Sequence, residues 1–179
     1  MLRRPEQGGW LELHLRPRRQ GESYPLADAM VDLFADPDAV EGAFAAFLYA
    51  RRMLGPCVET WVVDVGSAPC DWPAAARGVM GDSFSLALLF QLVARCQDAI
   101  WPDGVFVTGA VRCVRGFRCV AVGQAVAKGR WLALHGYRRL LLPRRNYHQL
   151  GRAGLDRDRC VALPPNLEEC IALWKRCLT

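Results

Sequence analysis

Two side chains in this sequence are of the types that nucleophilic catalysis uses. They are Ser83, within Gly81-Asp82-Ser83-Phe84-Ser85, and Lys128, five residues beyond Gly123. A serine hydroxyl attacks a carbonyl only when a base takes its proton, and lysine serves when it is neutral. The chain holds 23 Lys+Arg, yet lysine stands only at positions 128 and 175. Arginine replaces lysine on a solvated surface but cannot act as a base, because its guanidinium stays protonated in proteins. The bias toward arginine spared position 128, which marks Lys128 as a candidate base. Its ordinary pKa of about 10.4 must fall for that work, and burial against apolar walls lowers it. Ala125, Lys128 and Leu132 are spaced 3 and 4 apart and share one helical face, so the lysine projects from an apolar stripe. The competing reading is a surface lysine whose stem lies along that stripe.

Two further residues stand ready to support the pair. Asp82 either orients Lys128 or caps the helix that follows, and Asp82-Ser83 taken alone reads as a helix N-cap. Thr108, at a strand end, either hydrogen-bonds the lysine or starts a turn. Ser83 at a helix start has backbone N–H groups and the positive end of the helix dipole nearby, suited to a tetrahedral oxyanion. Phe84, directly after the serine, either packs into the core or crowds the cleft.

The elements that must position these residues follow from hydrophobic period and from turn and cap signals. Trp10–Leu15 alternates as a half-buried strand. A helical pattern covers Leu26–Phe34, and a second begins at Asp36-Pro37, continues to Met53 and stops at Gly55-Pro56. Val58–Val65 reads as a β-branched strand, and 66–78 as a long loop delivering the chain to Ser83. Next come an apolar helix burying Leu86, Leu89, Phe90 and Val93, then a strand over Gly104–Thr108. A hairpin over Ala110–Val122 turns at Arg115-Gly116, with Cys113 and Cys119 expected to face each other. The Lys128 helix runs from Gly123 to Gly136. A buried strand Arg139–Pro143, a polar loop Asn146–Asp158, a strand Cys160–Leu163 and a closing helix capped by Asn166 complete the chain. This mixture without regular βαβ repetition predicts an α+β or α/β domain, and 179 residues predict a single domain over 1–179.

From about Ala27 to Leu173 this order resembles the proteolytic domain of the Lon protease family. Gly81-Asp82-Ser83-Phe84-Ser85 is similar to the Gly-Asp-Ser-Ala-Ser signature of its membrane-linked, archaeal-type branch. Thr108-Gly109 matches the family's Thr-Gly, 25 residues beyond Ser83. The segment from Gly123 to Pro143 aligns without a gap and puts Lys128 at the catalytic lysine. The resemblance implies an α+β, Lon proteolytic-domain-like fold, a mixed sheet packed by helices, and a serine endopeptidase with a Ser83–Lys128 dyad supported by Asp82 and Thr108. The sequence departs from the family at Phe84 and Met80, where a small and an acidic residue are usual. Ala110, Gln124 and Val126 also stand where the family has other residues. No Gly-x-x-x-x-Gly-Lys-Ser/Thr pattern occurs in the chain, so the expected activity is ATP-independent or depends on a separate ATPase or regulatory partner. The alternative is a catalytically inactive Lon-like domain kept as an interaction or scaffold module.

Composition narrows the partners. The net charge is +5, but the arginines are scattered in pairs rather than gathered into a stripe with aromatics, which disfavours a nucleic-acid face. No apolar run approaches the ~18 residues that span a bilayer, and the N-terminus lacks an apolar signal core, so neither membrane nor secretion is expected. Eight cysteines and three histidines, with no Cys-x-x-Cys spacing, predict reduced thiols in a cytoplasmic protein and neither metal nor cofactor. A peptide or protein substrate completes the expected partners; the resemblance implies a ring, but without the ATPase that helps hold such rings the expectation is a monomer or a weak homo-oligomer.

Overall fold

The computed structural model describes residues 13–26, 36–65 and 81–177. Its architecture is mixed α+β. Positions 10–12 of the first expected strand, 27–34 of the first expected helix, the 66–78 loop and Met80 lie outside the described residues.

Helix α1 (Pro37–Leu54) starts as its sequence requires. Asp36 is extended, its carboxylate accepts the Asp38 N–H at 3.0 Å, and Pro37 occupies the first turn. Its inner face is built of small residues, Ala39, Gly42, Ala43, Ala46 and Ala50, with Phe47 and Tyr49 as large anchors. That face admits close neighbours: a Cβ on Gly42 would stand 2.8 Å from the Cβ of Asp82. Gly55, at φ 77°, ends the helix and leads into a 3₁₀ segment over Gly55–Thr60. The strand expected over Val58–Val65 is therefore shortened to β2 (Trp61–Val65). Pro56 fixes its own φ and lacks an N–H, and the Thr60 hydroxyl donates to the Cys57 carbonyl at 2.6 Å. These local bonds override the strand preference of Val58 and Thr60. Strand β1 (Leu13–Pro17) pairs antiparallel with β2, from Leu13 opposite Val65 to Pro17 opposite Trp61. Leu26, expected to open a helix, instead bridges in parallel to Val63.

Helix α2 (Ser85–Cys96) buries Leu86, Leu89, Phe90 and Val93 as its period predicts. Strand β3 (Val105–Val107) pairs in parallel with β6 (Arg139–Pro143), which pairs in parallel with β7 (Cys160–Leu163). Strands β4 (Ala110–Cys113) and β5 (Phe117–Val120) form the expected hairpin, but its register differs. Cys113 lies opposite Phe117, and Val111 opposite Cys119, so the two cysteines do not face each other. The turn is centred on Arg115, which shares the left-handed region with Gly116 (φ 53° and 107°). The described strands thus form three small sheets rather than the single mixed sheet expected.

Helix α3 (Ala125–His135) starts two residues later than predicted, after Gln124 at φ 55°, and ends at Gly136 as predicted. Residues read as a polar loop beyond Pro143 fold instead into helix α4 (Arg144–Arg152). Its polar composition hides the period, because only Asn146 and Leu150, four apart, are buried. Helix α5 (Leu167–Lys175) is capped by Asn166, whose side chain accepts the Glu169 N–H at 3.1 Å. The main core gathers α1, α2 and α5 around Phe47, Leu86, Leu89 and Phe90, with the Phe90 ring stacked on Trp174 at 5.2 Å.

Candidate active site

The loop bearing Ser83 is held from three sides. On one side Asp36, already capping α1 with one carboxylate oxygen, uses the other to accept the Gly81 N–H at 2.6 Å. The chain turns there through Gly81 at φ 74°, a conformation glycine adopts without strain. On the second side the Ser83 carbonyl accepts the Gly109 N–H at 3.0 Å, which ties the loop to the residue after Thr108. A side chain at position 109 would not fit, since its Cβ would lie 2.7 Å from Leu86 Cδ2 and 3.2 Å from Pro143. On the third side the fully buried Ser85 hydroxyl donates to the Asp82 carbonyl at 2.7 Å and accepts the Val111 N–H at 2.8 Å. That single hydroxyl joins the loop to β4.

Lys128 approaches from α3. The entry to this helix is clamped by Asn146 of α4, fully buried, whose side-chain oxygen accepts the Val122 N–H and whose amide donates to the Val122 carbonyl, each at 2.9 Å. The same amide donates to Gln149 at 2.8 Å, so its polar atoms are well used. Next to Lys128, Gly129 lets α4 come close: a Cβ there would meet Leu150 Cδ2 at 2.9 Å.

These anchors bring Lys128 Nζ to 2.7 Å from Ser83 Oγ and 3.4 Å from Thr108 Oγ1. Thr108 is buried, and its backbone N–H is fixed by the Leu141 carbonyl of β6 at 3.0 Å. Burial pushes the Lys128 amine below its ordinary pKa, while the negative charge of Asp82 opposes that shift. Three residues singled out from sequence, Ser83, Thr108 and Lys128, therefore converge. The amine stands where a neutral nitrogen accepts the serine proton.

Asp82 takes neither role expected of it. Its carboxylate accepts from Arg112 Nε at 2.6 Å instead of bonding Lys128. Nor do the side chains of Asp82 and Ser83 cap α2. The cap position is Phe84, without a side-chain cap bond, and Asp82 contributes only its carbonyl, accepting the Ser85 N–H at 3.0 Å. Phe84 packs against the main core.

No protein-family model matches the chain, and no curated protein is similar enough to count as a relative. The site therefore has to be read from its own atoms.

Sequence reading missed the second bond of Asp36 and the parts played by Ser85, Arg112 and Asn146. Their partners lie 24 to 45 positions away in the chain. Of these, Ser85 left a sequence trace as the last residue of the Gly81-Asp82-Ser83-Phe84-Ser85 signature, and Asn146 stood at the start of a stretch read as a polar loop. Among the described residues no group of three His, Cys, Asp or Glu side chains is arranged to hold a metal ion, and no helix is long and apolar enough to cross a membrane.

Proposed function

We propose that this chain is a serine peptidase that hydrolyses peptide bonds with a Ser83–Lys128 dyad, as its resemblance to the Lon proteolytic domain implies. The observation that carries the reading is the 2.7 Å contact between Lys128 Nζ and Ser83 Oγ, made by an amine whose burial favours its neutral form. In the first step the Oγ–H proton passes to Nζ as Oγ bonds to the substrate carbonyl carbon, giving a tetrahedral oxyanion and an ammonium. The oxyanion collapses, the C–N bond breaks, and the ammonium returns its proton to the leaving amine. The result is an acyl ester on Ser83 and a neutral lysine. Water then attacks the ester, giving its proton to Nζ, and the proton returns to Ser83 Oγ as the acid product leaves.

Thr108 supports this cycle by offering the amine a second hydroxyl partner, which limits where Nζ points in either protonation state. The N-terminal end of α2, which begins two residues after Ser83, favours the negative charge of the oxyanion. Substrates are peptides or unfolded segments, taken directly or handed over by a separate ATPase or regulatory partner in the cytoplasm.

The test is labelling of the purified chain by a fluorophosphonate, which phosphonylates activated serines. Wild type is expected to label at Ser83, with a rate that rises through one ionisation below that of a free lysine, and Ser83→Ala is expected not to label. A wild-type chain that fails to label at any pH removes the peptidase reading and leaves the Lon-like scaffold module.

A further inference from the structure

Asp82 is covalently next to the nucleophile, where a free carboxylate would hold a proton on the nearby amine. We infer that Arg112, on β4, is a positioning residue that keeps the Asp82 carboxylate off Lys128 and so leaves the amine neutral and competent as a base. The inference rests on the Ser83–Lys128 peptidase reading and adds a residue to it.

The geometry is specific. Arg112 Nε donates to Asp82 Oδ2 at 2.6 Å, and its terminal nitrogen lies 3.7 Å from Asp38 Oδ1. The Asp82 side chain is 13% exposed, so water does little to offset its charge and the guanidinium is its main counter-ion. Lys128 Nζ, by contrast, bonds two neutral hydroxyls, Ser83 and Thr108. The position of Arg112 is not accidental, because the preceding residue, Val111, is tied by its N–H to Ser85 two residues beyond the nucleophile. The hairpin and the Ser83 loop are thus joined at adjacent residues, once through Ser85 and once through Arg112.

The surrounding charges point the same way. Asp82 is the charge that pulls Lys128 toward its protonated form, against the effect of burial. Around Arg112 stand Asp82, Asp38 and Glu41, all of which hold the guanidinium charged. From α4, packed against α3, Arg144, Arg145 and Arg152 project into solvent. Arginine suits the role where lysine would not. It never deprotonates, so it neutralises Asp82 at every pH at which the lysine works, and it cannot take the serine proton itself.

The test uses the scarcity of lysine. With Lys128 and exposed Lys175 the only lysines, a chain carrying ¹³Cε-lysine gives two signals, and Lys175 serves as internal reference. Arg112→Met is expected to raise the Lys128 titration midpoint by about 1 unit. Adding Asp82→Asn to that variant is expected to return the midpoint to the wild-type value or below. Ser83 phosphonylation in Arg112→Met is expected to be about tenfold slower below both midpoints, with the same plateau at high pH. A merely structural Arg112 would lower the plateau without moving the midpoint. Should Arg112→Met fail to fold, Arg112→Ala removes both the donor and the charge and is read the same way. An unchanged midpoint in a folded variant, or a rise that Asp82→Asn does not reverse, overturns the inference. A wild type that never labels Ser83 removes the peptidase reading instead, while the lysine titration still decides the role of Arg112.

Discussion

Lys128 sits between two opposing influences on one nitrogen. Removal from water favours the free amine, and the Asp82 charge favours the ammonium. Because burial is the larger, the folded chain binds the proton less tightly than the unfolded chain. Between the lowered folded value and the ordinary value of about 10.4, the unfolded state therefore holds more protons and stability rises with pH. Lys128→Met, which keeps the stem but not the titratable group, should flatten that rise. It should also be more stable than wild type near neutrality by about 1–3 kcal/mol, the scale of returning a buried polar group to water. Urea denaturation at several pH values checks both. Lys128→Arg separates charge from basicity: it preserves a cation but cannot accept the Ser83 proton, so phosphonylation should fall to the background of Ser83→Ala. If Lys128→Arg labels as fast as wild type, Lys128 is not the base.

At the scale of elements, the dyad depends on two helices whose entries are set by side chains elsewhere. The loop before α2 is held by Asp36, the cap of α1, and by Ser85 against β4. The entry to α3 is held by Asn146 of α4, which grips both polar groups of Val122 as a neighbouring strand would. Asn146→Leu keeps the branched shape but leaves those two groups without their partner. It should cost about 2–6 kcal/mol at about 1–3 kcal/mol for each unpaired buried group. Labelling of Ser83 should slow by more than that loss of folded protein explains, since the start of the Lys128 helix is released. A denaturation midpoint equal to wild type would show that Val122 finds other partners. This dependence also accounts for α4 itself: a helix so polar has little to bury, and Asn146 and Leu150 make its two inward contacts count.

Across the whole molecule, Ser83 and Lys128 are 45 residues apart, and their contact exists only while α2, α3 and the β3-β6-β7 sheet are assembled. Thr108 at the end of β3 links these parts, because its backbone pairs with β6 and its side chain reaches the amine. The main core, with Trp174 fully buried against Phe90, also contains Leu86 of α2 and Leu141 of β6, whose carbonyl holds Thr108. Ser83 labelling should therefore be lost in the same transition in which tryptophan emission shifts to longer wavelength as the chain is heated. Labelling lost well below the fluorescence transition would mean that the site opens independently of the core.

Local chemistry was readable where a residue and its partner are close in the chain. The Asp36-Pro37 start of α1, the Asn166 cap of α5, the buried face of α2 and the glycine stop of α3 all satisfy or end their own helix within a turn. The scarcity of lysine singled out position 128, since in a chain whose other cations are nearly all arginine a lysine is a cation that can lose its proton and act as a base. Tertiary structure decided what the charged and polar groups do once distant segments meet. It turned Asp82 from Lys128 to Arg112, set the hairpin one residue off its expected centre, shortened β2, and folded a polar stretch into α4. Each outcome depends on which partner is nearest in space. Hydrogen bonds and ion pairs act over a few ångströms, and a pattern along the chain carries no measure of distance between residues tens of positions apart.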